Sequence, residues 1–124
     1  MRSYKRTDRV ASLIREAIAQ LMVTDVRDPR VRESVVTHVM VTADLAIARI
    51  YVRSLVSDPQ GEQELLKGLG RASGFLRAEL GRRVHLARIP TLEFYYDETP
   101  DEAAHVDEIM AHLPEPAKDD PIDD

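Results

Sequence analysis

A chain of 124 residues is long enough for one hydrophobic core and too short for two ordinary domains. It has no cysteine, which excludes disulfide scaffolds, thiolate nucleophiles and thiolate metal sites together and is consistent with a reducing cytosol. The formal charge of −5 is unevenly spread: residues 100–124 hold nine acidic side chains and one basic, a net −8, leaving a mildly basic +3 on residues 1–99, so the overall balance does not exclude a phosphate-binding surface.

The first residues carry Arg2, Lys5, Arg6, Asp8 and Arg9 with no apolar stretch behind them, so no export signal is read there. No apolar run approaches the roughly 20 residues of a membrane span, and the expected location is the cytoplasm. From Tyr4 to about Val23, the residues Val10, Leu13, Ile14, Ala17, Ile18 and Leu21 recur at the spacing of one buried helical face. Asp28-Pro29-Arg30 is a turn signal, because proline pushes the preceding residue out of the α region. Residues 34–42 and 46–54 are β-branched runs joined by Ala43-Asp44-Leu45, which predicts an antiparallel hairpin. In the second run Ala46, Ala48, Ile50 and Val52 share one face and Ile47, Arg49, Tyr51 and Arg53 the other, giving a core face and a basic, aromatic face. The first run is apolar on both faces apart from Thr37, His38 and Thr42, so its pattern fixes no orientation.

Asp58-Pro59-Gln60-Gly61 reads as a loop, and after it Leu65, Leu66, Leu69, Ala72, Leu76 and Leu80 keep helical phase through Gly68, Gly70, Gly74 and Gly81. Each interior glycine costs a helix roughly 1 kcal/mol relative to alanine, which predicts two helices meeting at a kink at Ala72-Ser73-Gly74. A basic connection from Arg82 to Arg88 leads past Pro90 to a third strand over residues 91–97. Thr99-Pro100-Asp101-Glu102 is a capping box that predicts a short helix over 99–113, and the proline- and aspartate-rich residues 114–124 predict a disordered acidic tail.

The resulting order, α-β-β-α-kink-α-β, predicts an α+β fold with a three-stranded sheet and helices on one face, the element order of a type II KH domain, over residues 1–98. Five stretches carry a closer likeness: Arg6 to Val10 (RTDRV), Val26 to Arg30 (VRDPR), Val41 to Val52 (VTADLAIARIYV), Ala72 to Arg77 (ASGFLR) and Arg88 to Asp97 (RIPTLEFYYD). In this order the chain resembles the ribosome-binding factor A family of 30S maturation factors. The resemblance implies a KH-like domain in which Ala72-Ser73-Gly74 replaces the usual Gly-x-x-Gly loop. It also implies binding to the immature 30S subunit and 16S rRNA, support for processing of the 16S rRNA 5′ end, and importance in the cold. A ribosome-associated GTPase is a candidate further partner, and a monomer is expected.

A kink suits RNA because a second helix would begin there with unpaired backbone N–H groups and the positive end of its dipole. Gly74 would let a sugar-phosphate strand approach without a Cβ in the way, and Arg71, Arg77, Arg82 and Arg83 could neutralise phosphates around Ala72 and Ser73. Arg2, Lys5, Arg6 and Arg9 form a second candidate patch, and Arg27, Arg30 and Arg32 a third. Arg49, Tyr51 and Arg53 rank below these, since a tyrosine on a strand is as often a cross-strand packing residue. No cofactor and no catalytic activity are expected: His105, Glu108 and His112 have metal-like spacing but no buried shell, and capping explains Asp101 and Glu102 beside Asp97 and Glu98. The rival reading is a protein-interaction module that uses the first helix and the acidic tail without RNA.

Overall fold

The computed structural model describes residues 2–56 and 58–99, with the backbone alone for residues 2–5. The expected helix over 99–113 and tail over 114–124 lie outside the described residues, Thr99 excepted.

Helix α1, Arg2–Thr24, buries Val10, Ile14, Ala17, Ile18, Leu21 and Met22. Each large aliphatic side chain so removed from water contributes about 1.5–3 kcal/mol. Leu13, expected in that stripe, is 40% exposed and lies at its margin. The proline turn is more than a turn. Asp28 accepts a 2.9 Å hydrogen bond from the Arg30 N–H, proline occupies the first helical position, and a one-turn helix α2, Pro29–Arg32, follows with Val31 fully buried.

Strands β1, Ser34–Val41, and β2, Ile47–Ser54, form the expected antiparallel hairpin. Its register shifts between Val36 and His38, a bulge that leaves Val36 and Val39 both facing the core. A bulge breaks the two-residue period, which is why the pattern of the first strand fixed no orientation. In the connection, Leu45 adopts a positive φ of 61°, and Asp44 accepts hydrogen bonds from the Thr42 hydroxyl and the Ala46 N–H. Those bonds hold the Asp44 carboxyl below its usual range, the Thr42 bond contributing most.

The expected loop at Asp58 is the start of helix α3, Pro59–Arg83: Asp58 is its N-cap, accepting the Gly61 N–H at 2.7 Å, and Pro59 opens it. Helical bonding then runs unbroken to Arg83, so the two kinked helices expected around Ala72-Ser73-Gly74 are one element. The buried glycines answer to packing. A Cβ on Gly61 would fall 2.5 Å from the Arg30 guanidinium, and one on Gly68 would collide with the Asp28 carboxylate and lie 3.2 Å from Val31, so both let α2 sit close against α3.

Strand β3, Thr91–Tyr96, pairs parallel to β2, giving the order β1-β2-β3 with α3 as the crossover. Helices α1 and α3 share one core with Val36, Val39, Val41, Ala48, Ile50, Val52 and Leu92. Among the described residues both helices lie on that one face, and the other face carries no helix. No described helix is long and apolar enough to cross a membrane.

Candidate nucleic-acid interface

On the outward side of α3, Gly70, Arg71, Gly74, Phe75 and Ala78 are exposed. The four-residue spacing aligns Gly70, Gly74 and Ala78 along one line of the helix. A Cβ at Gly70 or Gly74 would meet no atom within 4 Å, so an incoming strand can reach the helix backbone there. Beside this line the Phe75 ring is 44% exposed and the Arg71 side chain 68% exposed. Because the helix is continuous, the amides around Ser73 are engaged within it. The expected anion site of unpaired amides at a second helix start is therefore absent, and close approach plus cationic flanks remain. Ser73 bends its hydroxyl back onto the Gly70 carbonyl at 3.0 Å.

The expected arginines divide into those that hold the fold and those that face outward. Arg77 donates to the Pro90 carbonyl at 2.9 Å and the Ile89 carbonyl at 2.7 Å, fixing the α3–β3 connection. Arg30 pairs with Asp58 at 3.3 Å and joins α2 to the start of α3, while Arg32 donates to the Val26 carbonyl at 2.9 Å. Gly61 and Arg30 together keep the Asp58 carboxyl below its usual range, the backbone bond contributing more. Arg82 lies 3.9 Å from Glu79 with its side chain 73% exposed, and Arg83 lies 3.7 Å from Asp25. Exposed pairs of this kind contribute about 0–1 kcal/mol, so those guanidinium groups remain available to phosphate. Arg6, Arg9 and Arg27 are exposed, and the side chains of Arg2 and Lys5 lie outside the described residues.

Asp28, legible in the sequence only as part of a turn, has a wider role. One of its carboxylate oxygens caps α2, and the other lies 3.5 Å from Arg71 and against Gly68. It brings the proline-turn patch and the α3 patch together, and the Asp-Pro pair was its visible signal.

On the sheet face away from the helices, three rings cross three strands. His38 lies 6.0 Å from Tyr51, and Tyr51 stacks 5.4 Å from Tyr95. Arg49 lies 3.7 Å from Glu93, which accepts a 2.7 Å bond from the Tyr95 hydroxyl. That bond to a carboxylate pushes the Tyr95 phenol up to about 12. The pairing of Tyr51 with Tyr95 follows from the parallel register of β2 and β3, which no local pattern encodes.

A family model described as ribosome-binding factor A matches residues 6–110. The chain belongs to the ribosome-binding factor A family. Ribosome-binding factor A of Aromatoleum aromaticum is 37% identical over 97% of each chain, and that of Sorangium cellulosum is 40% identical over 88% of this chain and 89% of its own. Among solved structures, crystalline ribosome-binding factor A from Thermus thermophilus superposes with a TM-score of 0.64 at 29% identity, covering 73% of this chain and 94% of that one. A homology model of the Thermus thermophilus factor, fitted into a cryo-EM map of a 30S complex with it, superposes with a TM-score of 0.57 at 29% identity, over 68% of this chain and 88% of that one.

The fold is accordingly the KH-like α+β fold of the ribosome-binding factor A structures. Within this family member no three histidine, aspartate or glutamate side chains come together as a metal site among the described residues. His105, Glu108 and His112 lie outside them.

Proposed function

We propose that this chain is a non-catalytic assembly factor that binds the immature 30S subunit through the sugar-phosphate backbone of 16S rRNA. The observation that carries the reading is the open line of α3 at Gly70 and Gly74, where nothing lies within 4 Å of either Cβ position, flanked by the exposed Arg71 and Phe75. A helix side without Cβ atoms lets phosphates come close, guanidinium groups supply the counter-charge, and an exposed ring offers a base a stacking surface. Arg82, Arg83, Arg6 and Arg9 extend the cationic surface, with Arg2 and Lys5 as further contributors from the sequence. The 30S complex of the Thermus thermophilus relative supports the same partner here.

In this reading the domain of residues 1–98 holds a precursor particle while the 5′ end of 16S rRNA is processed by other enzymes, and makes and breaks no bond itself. It acts in the cytoplasm as a monomer, with a ribosome-associated GTPase as a candidate further partner. It matters most in the cold, where misfolded RNA rearranges slowly. A rival, a protein-interaction module using α1 and the acidic tail, draws on the solvent-facing side of α1 that carries Ser12, Arg15, Glu16 and Gln20.

Gly74→Asp separates the two, since it adds charge and bulk on the open line and touches no packed atom. Sedimentation with purified immature 30S subunits is expected to lose the variant from the particle fraction while its circular dichroism and unfolding midpoint stay near those of the parent. A folded variant that sediments with the particle as the parent does would remove this helix face from the interface.

A further inference from the structure

The sheet face away from α1 and α3 has the composition of an interface. Val35, His38 and Met40 of β1, Ile47, Arg49, Tyr51 and Arg53 of β2, and Glu93 and Tyr95 of β3 share it. Val35 and Tyr95 are each 40% exposed, and α1 and α3 pack on the opposite face. The Arg49 Nε is enclosed yet makes no hydrogen bond among the described residues. Glu93 stands 3.7 Å from it, an ion pair too long for a hydrogen bond, so a closer acceptor would further stabilise this enclosed donor.

The end of β3 is anchored across the sheet. The Asp97 N–H donates to the Val52 carbonyl on β2, and the Asp97 carboxylate accepts a 2.7 Å bond from the Thr37 hydroxyl on β1 and a 3.0 Å bond from the Thr99 N–H. Burial raises the Asp97 carboxyl, but the bonds from Thr37 and Thr99 outweigh it and hold the group below its usual range. The strand that ends at the edge is thus tied across β2 to the opposite strand, and residues from 100 onward start from that point.

Those residues carry the complementary pattern. Ala103, Val106, Ile109, Met110 and Leu113 fall within one helical stripe, while Asp101, Asp107 and Glu108 supply carboxylates around it. Fifteen residues from Thr99 to Leu113 would make a helix of about 22 Å, enough to cross three strands spaced about 4.8 Å apart. We infer that residues 100–113 form an amphipathic helix that docks its apolar stripe on the open sheet face, over Met40, Ile47, Tyr51 and Tyr95, with an acidic side chain answering Arg49. RNA fits this face less well, because Arg49 and Arg53 stand against Glu93 and Asp97 and leave no net positive charge for a phosphate strand, while an apolar stripe needs none.

The absence of cysteine makes the test direct. A nitroxide attached through Ala111→Cys in the full chain, on the polar side of the stripe, reports what lies near the segment by quenching amide signals. The expected result is selective loss of signal at Met40, Ile47, Tyr51 and Tyr95, abolished when Met110→Glu and Leu113→Glu are added to the labelled chain. Quenching spread evenly over the surface, or strongest on α1 and α3, would overturn the inference. So would quenching that appears only between labelled and unlabelled copies in a mixture, which would assign the face to a second chain. None of these outcomes bears on 30S binding, so this docking and the function proposed above stand or fall separately.

Discussion

Gly68 and Gly70 stand two residues apart on α3 and answer to different forces. At Gly68 a methyl group would press on the Asp28 carboxylate that caps α2 and on Val31, so Gly68→Ala is expected to destabilise the fold by about 1–3 kcal/mol, the usual range for overpacking. At Gly70 nothing lies within 4 Å, so Gly70→Ala is expected to stabilise by up to about 1 kcal/mol through helix propensity alone. Urea unfolding of the two variants reads both signs in one experiment. If both move the midpoint the same way, the packing account of these glycines is wrong. The arginines divide in the same manner. Arg77 is spent on the Ile89 and Pro90 carbonyls, whereas Arg71 keeps 68% of its side chain exposed beside the open line.

Among the elements, the Arg30–Asp58 pair beside the Asp58 cap ties α2 to the start of α3. Asp58 titrates below its ordinary value in the fold, so its contribution is present above about pH 3.9, the unfolded value, and is lost as pH falls through the lower folded value. Asp58→Ala is expected to lower the unfolding midpoint near neutral pH. Asp58→Asn, which still caps, should lower it less and flatten the acid limb of the stability profile, with Asp44 and Asp97 supplying the acid sensitivity that remains. Thermal unfolding across pH 2–7 would contradict this if the Asn variant kept the full acid slope of the parent.

The amphipathic stripe of α1 and the alternation of β2 were legible in the sequence because one periodic face is buried in each. The parity of β1 was not, because the bulge at Val36–His38 resets it. The glycines of α3 suggested a break because propensity counts their cost and cannot count the close approach of α2 that two of them serve. For the candidate site, the sequence drew attention to Gly74 and Arg71, but as a kink between two helices and not as one side of a continuous helix. The structural duties of Arg30 and Arg77 were not, since each depends on a partner distant in the chain.

For the whole molecule, the charge split constrains how the proposed contact with RNA could form. Residues 1–99 carry +3 and residues 100–124 carry −8, so attraction to phosphate must come from a local surface, and the body as a whole draws little. Under the proposed function, a mildly basic body with exposed Arg6, Arg9, Arg71, Arg82 and Arg83 would bind by displacing counterions, and that would leave a mark in the ionic-strength dependence. The α+β frame places α3 with its leucines inward and its glycine line outward, so one helix serves both the core and the surface. The most direct test is to pellet the full chain with purified immature 30S particles at stepped salt concentrations. Phosphate contact through α3 predicts that log affinity falls linearly and steeply with log salt for the parent, and less steeply for Arg71→Gln. Co-sedimentation indifferent to salt, or an Arg71→Gln slope equal to that of the parent, would contradict it.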